Sequence, residues 1–299
     1  MGQIIAILNQ KGGVGKTTTA INLSSSLASL GCRVLLVDLD PQGNSTTGLG
    51  IDKRSLLTTT YDLLCVGIPF HQVVCETAVE RLHLLPATID LAGAEIELVT
   101  AMARETKLAT ALRPVADDYD FILLDTPPSL GLLTINCLTC ADHALIPIQC
   151  EYYALEGLAQ LTHTIDLVTR HLNPSLTILG VLLTMYDART KLAQQVADEI
   201  RRHFGNQVFH SIIPRSVRLS EAPSYGEPVL SYAPDSRGAI AYLELAKEVI
   251  SIGEAEKRTE CAHSGSDLET AGADSAAPDC ADLAERISAP PAAGSGEAI

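Results

Sequence analysis

The stretch Ile4-Ile5-Ala6-Ile7-Leu8-Asn9-Gln10-Lys11-Gly12-Gly13-Val14-Gly15-Lys16-Thr17-Thr18 is an apolar run that ends in a glycine-rich loop carrying two lysines. Ile4–Leu8 reads as a buried strand, and Thr17 to Leu30 has the pattern of a helix. A phosphate-binding loop of the form G-x-x-x-x-G-K-[ST] occupies this kind of strand–helix junction. Gly15, Lys16 and Thr17 satisfy its end, whereas Gln10 stands at its opening glycine and Lys11 is an additional cation. Backbone N–H groups of such a turn surround phosphate oxygens at the positive N-terminus of a helix. The loop therefore predicts a nucleotide site, with Gly12, Gly13, Val14, Gly15, Lys16, Thr17 and Thr18 lining it. Lys16 is placed to reach the β- and γ-phosphates, and the Thr17 hydroxyl to ligate Mg²⁺.

Outward from this loop, apolar runs recur at Arg33–Val37, Leu82–Leu85, Phe121–Leu124, Ala144–Ile148, Leu176–Thr184 and Val208–Ile212. Stretches of helical period separate them: Leu91–Leu112, Leu155–Leu172, Leu192–Phe204 and Ala239–Ile252. Strands that are almost continuously apolar are buried on both faces, as in parallel sheets covered by helices. The alternation predicts an α/β fold, a doubly wound and mostly parallel sheet with helices on both faces. Ligands of such sheets bind beyond the carboxyl ends of the strands.

Two acidic segments follow strand ends. In Asp38-Leu39-Asp40-Pro41-Gln42-Gly43-Asn44, Asp38 and Asp40 are expected to face the phosphates. In Phe121-Ile122-Leu123-Leu124-Asp125-Thr126-Pro127-Pro128, four apolar residues precede an acid, the Walker B pattern that holds a metal. A buried aspartate is costly unless a cation or donors compensate it, and Mg²⁺ with nucleotide supplies that compensation.

The bulk composition sets limits. The 299 residues carry a net charge of −15, and residues 254–299 hold ten of the 36 acids but three of the 21 Lys and Arg, so −7 of that charge lies there. That segment is rich in Gly, Ala, Ser and Pro and reads as a disordered, solvated extension behind an ATPase domain spanning 1–253. Local potential rather than total charge decides nucleic-acid binding, so an acidic protein retains room for a basic patch. No apolar run approaches the ~20 residues of a membrane span, and a strand that starts at residue 4 leaves no room for a signal peptide. A cytosolic location is expected. The eight cysteines lack framework spacing; Cys137-Leu-Thr-Cys140 falls in an apolar helical stretch and reads as buried small side chains rather than a metal or redox site.

Lys11–Thr18, Val37–Asn44 (VDLDPQGN), Leu124–Ser129 (LDTPPS) and Ile213–Tyr225 (IPRSVRLSEAPSY) together resemble the deviant Walker A ATPases, and within them the ParA/Soj chromosome- and plasmid-partition ATPases. The resemblance runs from residue 3 to about 252. It implies an ATPase using ATP and Mg²⁺, with Lys11, Lys16 and Asp40 catalytic. Lys11 is the lysine that crosses to the partner subunit's nucleotide, giving an ATP-dependent homodimer. Asp40 positions the attacking water, and Asp125 supports the metal alongside Thr17. Pro214 and Ser216 match adenine-contacting positions, although position 216 is commonly Asn in the family. Arg189 and Arg218 match arginines that bind nonspecific double-stranded DNA. The further implied partner is a ParB-like centromere-binding protein, and the location is nucleoid-associated. The chain starts at its first strand, so the helix-turn-helix extension of larger plasmid relatives is not expected.

Two rival readings use the same core. A MinD-like membrane-cycling ATPase needs a basic amphipathic helix at its end; the acidic end here, with Leu283-Ala284-Glu285-Arg286-Ile287, does not supply one, so no membrane partner is expected. An iron–sulfur carrier needs cysteines in a ligand loop, whereas Cys137 and Cys140 lie in a helical stretch.

Overall fold

The computed structural model describes residues 2–151 and 154–264. In chain order the elements are β1 (Gln3–Ile7), α1 (Lys16–Ser29), β2 (Val34–Asp38), α2 (Asn44–Gly48), β3 (Cys75–Glu76), β4 (Leu82–Leu85), α3 (Leu91–Glu97) and α4 (Lys107–Leu112). There follow β5 (Phe121–Asp125), α5 (Leu132–Cys140), β6 (His143–Gln149), α6 (Ala154–His171), β7 (Thr177–Thr184), α7 (Lys191–Phe204), α8 (Val217–Glu221), α9 (Val229–Tyr232) and α10 (Arg237–Ser264). The strands form one seven-stranded sheet in the order β3-β4-β2-β5-β1-β6-β7, parallel except for the short β3 at its edge. The crossover from β1 runs to one side, to β2, and that from β5 to the other, to β6, so the carboxyl ends of β1 and β5 lie where the winding reverses. That is where such sheets bind ligands.

Side chains of β1 divide two cores because successive residues point to opposite faces. Ile4 and Ala6 pack with Leu91 of α3, Leu112 of α4 and Leu133 of α5. Ile5 and Ile7 pack with Leu23 and Leu27 of α1 and with Tyr242 and Leu245 of α10. The buried Tyr242 hydroxyl meets Thr19 Oγ1 at 3.1 Å, tying α10 to the helix that starts at the phosphate loop. Cys137 and Cys140 are both fully buried in α5, and burial pushes their thiols up, Cys140 to about 12. They pack as small apolar groups held in the protonated form. Among the described residues no helix is long and apolar enough to cross a membrane.

Two expected elements are not formed. Leu91–Leu112 is not one helix: α3 and α4 are separated by an irregular stretch in which Ala103 has a left-handed backbone, φ 52°. The cause sits on α5, where buried Asn136 donates to Arg104 O at 2.7 Å and accepts from Leu108 N–H at 3.2 Å. Its side chain takes the backbone groups a continuous helix would pair. Val208–Ile212 is not a strand either. It meets β7 through a single bridge, Val181 to Val208, and the His210 and Ser211 N–H groups donate instead to the Glu248 carboxylate on α10, at 2.8 and 3.1 Å. At the other end, α10 runs through Ser264, past the expected boundary at 253. The remainder of the expected tail, 265–299, lies outside the described residues.

Candidate nucleotide site

Side-chain hydrogen bonds from both flanks fix the phosphate loop. Asn9 donates to Pro147 O at the end of β6 (2.8 Å) and accepts from Lys11 N–H (2.9 Å), fixing where the loop leaves β1. Gly13 and Gly15 take left-handed backbone conformations, φ 75° and 93°, that only glycine adopts without strain. Gly15 caps α1 with no side chain over its first N–H groups, which leaves the helix start free for an anion. On the far side Thr184, the last residue of β7, donates to Val14 O at 2.7 Å.

The two lysines of the loop have different surroundings. Lys16 is buried, and among the described residues its ammonium reaches only the Lys11 carbonyl, at a long 3.4 Å. Burial lowers its pKa, while the charges of Asp125 and Asp40 act in the opposite direction. A desolvated ammonium with one weak protein acceptor is prepared for a stronger anionic partner. Lys11 is exposed and turns outward to Glu151, at 3.0 Å. Gln10, at the position of the loop's opening glycine, has a buried amide nitrogen without a partner among the described residues.

Asp38 and Asp125 pair in register on adjacent strands and are fully buried. Burial raises both carboxyls well above the usual range, and the charge of Asp38 adds to the rise at Asp125. Asp38 is consumed internally. Its oxygens accept from the Thr46 N–H and hydroxyl (2.8 and 2.7 Å) and from Asp40 N–H (3.2 Å). The expectation that Asp38 faces the phosphates is thus corrected: it anchors the start of α2, because Thr46 offers two donors and burial demands them.

Asp125 is left incomplete. Ser45 donates to its Oδ2 at 2.8 Å, but among the described residues the buried Oδ1 has no hydrogen-bond partner. The Thr17 hydroxyl is near enough to favour the ionised form without completing a bond of ordinary geometry. Among the described residues no cluster of three or more His, Cys, Asp or Glu could hold a metal alone. Mg²⁺ at nucleotide sites needs no such cage, since one or two protein oxygens, phosphate oxygens and water complete its shell. The orphaned Asp125 Oδ1 and the Thr17 hydroxyl fit that requirement.

Asp40 lies just beyond β2, nearly buried, and accepts from Gln42 N–H at 2.9 Å. Gly43 N–H returns to Asp40 O at 2.8 Å, and Lys53 Nζ holds Gln42 O at 2.7 Å. Gly43 is required here: it has φ 60°, and a Cβ would stand 2.5 Å from Ala87 O.

Pro214 and Ser216 sit on the segment that bridges to Tyr186 just after β7; both are half-buried, and Ser216 makes no capping hydrogen bond to α8. Arg189 and Arg218 are exposed, and each is engaged by a neighbouring acid. Asp187 accepts from both Arg189 Nε and Nη2 (2.8 and 2.7 Å), and Glu221 accepts from Arg218 at 2.8 Å. Sequence reasoning missed Thr184, Ser45, Thr46 and Glu151. The hydroxyl run Ser45-Thr46-Thr47 directly after the acidic segment was a usable signal; Thr184 is an ordinary strand end and offered none.

Comparison with known proteins gives a consistent result. A family model described as an AAA domain matches residues 2–178. The chain is 58% identical over 253 residues to the sporulation initiation inhibitor protein Soj of Bacillus subtilis, covering 85% of this chain and 100% of that protein. It is 56% identical over 250 residues to the chromosome partitioning protein ParA of Myxococcus xanthus, covering 84% of this chain and 88% of that protein. Among solved structures it superposes on cobyrinic acid a,c-diamide synthase of Mycobacterium smegmatis with bound ATP analog and magnesium, with a TM-score of 0.76, 38% identity and coverage of 86% and 97%.

Proposed function

Because the chain belongs to the ParA/Soj family of chromosome-partitioning ATPases, we propose that its ATP site closes between two copies and that the ATP-bound dimer holds nonspecific double-stranded DNA. A ParB-like protein then stimulates hydrolysis to ADP and phosphate, which releases the DNA. The working unit is residues 1–253, with the segment beyond it as an extension, and the location is the nucleoid. The observation that carries the reading is the division of labour between the lysines: Lys16 is buried toward its own site while Lys11 is exposed and directed away from it.

In this reading the ATP site combines the phosphate loop with the carboxyl ends of β2 and β5. Loop N–H groups and Lys16 bind and orient the phosphates, and the Thr17 hydroxyl and Asp125 Oδ1 would hold Mg²⁺. The metal, when bound, offsets charge that develops on the transferring phosphoryl group. Asp40, fixed by Gln42 N–H and by the Lys53-anchored turn, orients the attacking water. A second cation supplied by the partner's loop stabilises the same charge. Since phosphoryl transfer depends on placement and electrostatics, a monomer with Lys11 turned outward hydrolyses ATP slowly.

Co-sedimentation with random-sequence DNA and, in parallel, with anionic liposomes tests this reading. ATP-dependent retention on DNA and none on liposomes is expected. Retention on liposomes alone, or DNA binding indifferent to nucleotide, overturns it.

A further inference from the structure

Beyond β7, three arginines lie on two segments that are separate in sequence but adjoin in the fold. Arg189 lies in the turn after β7, and Arg215 and Arg218 lie at the entry to α8. The segments are joined by the Tyr186–Pro214 bridge and by Arg215 N–H donating to Tyr186 O at 3.2 Å. This brings Arg215 close enough for its charge to help hold the Asp187 carboxyl down.

The three are not equivalent. Arg189 is gripped by Asp187 in a two-pronged ion pair, and Asp187 falls to about 2, chiefly through that hydrogen bonding. Arg218 is paired with Glu221, whose carboxylate is also 3.3 Å from the Tyr232 hydroxyl. Tyr232 in turn stacks on exposed Tyr225 with centroids 4.9 Å apart. Arg215 is exposed and, among the described residues, has no ion pair.

We propose that Arg215 completes, with Arg189 and Arg218, a phosphate-binding surface for the DNA backbone, and that Asp187 and Glu221 compete for two of its three cations and hold its affinity down. This rests on the DNA reading given above. A phosphate approaching the patch meets Arg215 directly, whereas contact with Arg189 or Arg218 requires exchange of a carboxylate for a phosphate oxygen. Exposed ion pairs of this kind are weak enough to exchange readily. Their acids also cancel two positive charges at the surface, which weakens a binding mode driven by counterion release. The arrangement gives tight binding only where several arginines meet several phosphates at once, as when two copies sit on one duplex.

The experiment measures binding of the full chain, saturated with a slowly hydrolysed ATP analogue, to fluorescent random-sequence duplex across a salt series. Arg215→Ala is expected to weaken binding about three- to tenfold and to lower the slope of log K against log salt by about one. Asp187→Asn keeps an oxygen for the Arg189 N–H, and Glu221→Gln keeps one for Tyr232; each is expected to tighten binding two- to fivefold. Arg33→Ala, at the opposite, amino-end side of the sheet, serves as the remote charge control and is expected to leave binding within twofold. Binding by Arg215→Ala with wild-type affinity and salt slope overturns the role of Arg215. Unchanged or weaker binding by both acid variants overturns the competition. If the wild-type chain itself ignores DNA, the partition reading fails and this proposal falls with it.

Discussion

At the carboxyl ends of β2 and β5 the carboxylates are buried, few and fixed, with Asp38 satisfied by Thr46 and Asp125 one donor short. Beyond β7 the charges are exposed, and Arg189 and Arg218 already have partners. Burial explains the contrast. Placing a carboxylate between strands carries a desolvation cost that only specific donors or a cation offset, so every neighbour of Asp125 is constrained. An exposed arginine has no such cost, so its position and partner can drift. The inner site presents fixed donors and acceptors that suit a cation and phosphate, and the outer face is a surface with adjustable affinity.

The sharpest way to break the comparison is to remove the inner residue that acts on water. Asp40→Ala is expected to slow hydrolysis by a factor of about 10²–10⁴, the usual worth of a positioned acid–base group, while ATP-dependent DNA retention persists or lengthens. Phosphate release measured beside retention separates the two effects, and normal turnover removes Asp40 from the mechanism. Lys16→Ala comes next. Loss of a charge-assisted bond from a desolvated ammonium predicts a fall in ATP affinity of about a hundredfold, read by calorimetry, and with it the loss of all ATP-dependent DNA binding. Near-normal affinity would mean the loop N–H groups carry the phosphate alone.

The outer face is tested by Arg189→Glu. Reversing one phosphate contact is expected to weaken DNA binding about tenfold at low salt, with a smaller penalty as salt rises, and to leave ATP affinity intact. An equal loss of ATP affinity would show that the turn after β7 acts through the Thr184 clamp on Val14 rather than through DNA.

The same contrast governs what was legible in the sequence. Apolar runs such as Phe121–Leu124 and the loop Gln10–Thr18 announced the sheet and the phosphate site, because burial on both faces and left-handed glycines admit few alternatives. Elements whose fate is decided from another part of the chain were misread. Glu248 on α10 took the N–H groups that would have made Val208–Ile212 a strand, and Asn136 on α5 broke the helix expected over Leu91–Leu112. Asp38 was read as facing phosphate because its spacing says only that it ends a strand; its Thr46 partner lies on a later helix. At the outer face the spacing of Arg189 and Arg218 carries no information on function, and only the family resemblance singled them out. Their pairing with Asp187 and Glu221 became visible in the structure.

The smallest predicted effect concerns the energy stored in the inner site. Asp125 has a folded-state pKa raised chiefly by burial, so the folded state favours its protonated form. The stability this contributes is fully present below the unfolded value near 3.9 and is lost as pH rises through the raised folded value. In the nucleotide-free protein, Asp125→Asn removes that loss while keeping an oxygen for the Ser45 hydroxyl. The variant is therefore expected to melt a few °C above wild type at pH 8, at about 2–4 °C per kcal/mol for a domain of this size. The difference should shrink toward zero near pH 4. With ATP and Mg²⁺ the order should reverse, because the wild-type carboxylate gains the cation it lacks and the asparagine does not. A wild type that outlasts the variant at pH 8 without nucleotide would mean that Asp125 is already compensated within the chain, and that the inner site is no more prepared for a ligand than the outer one.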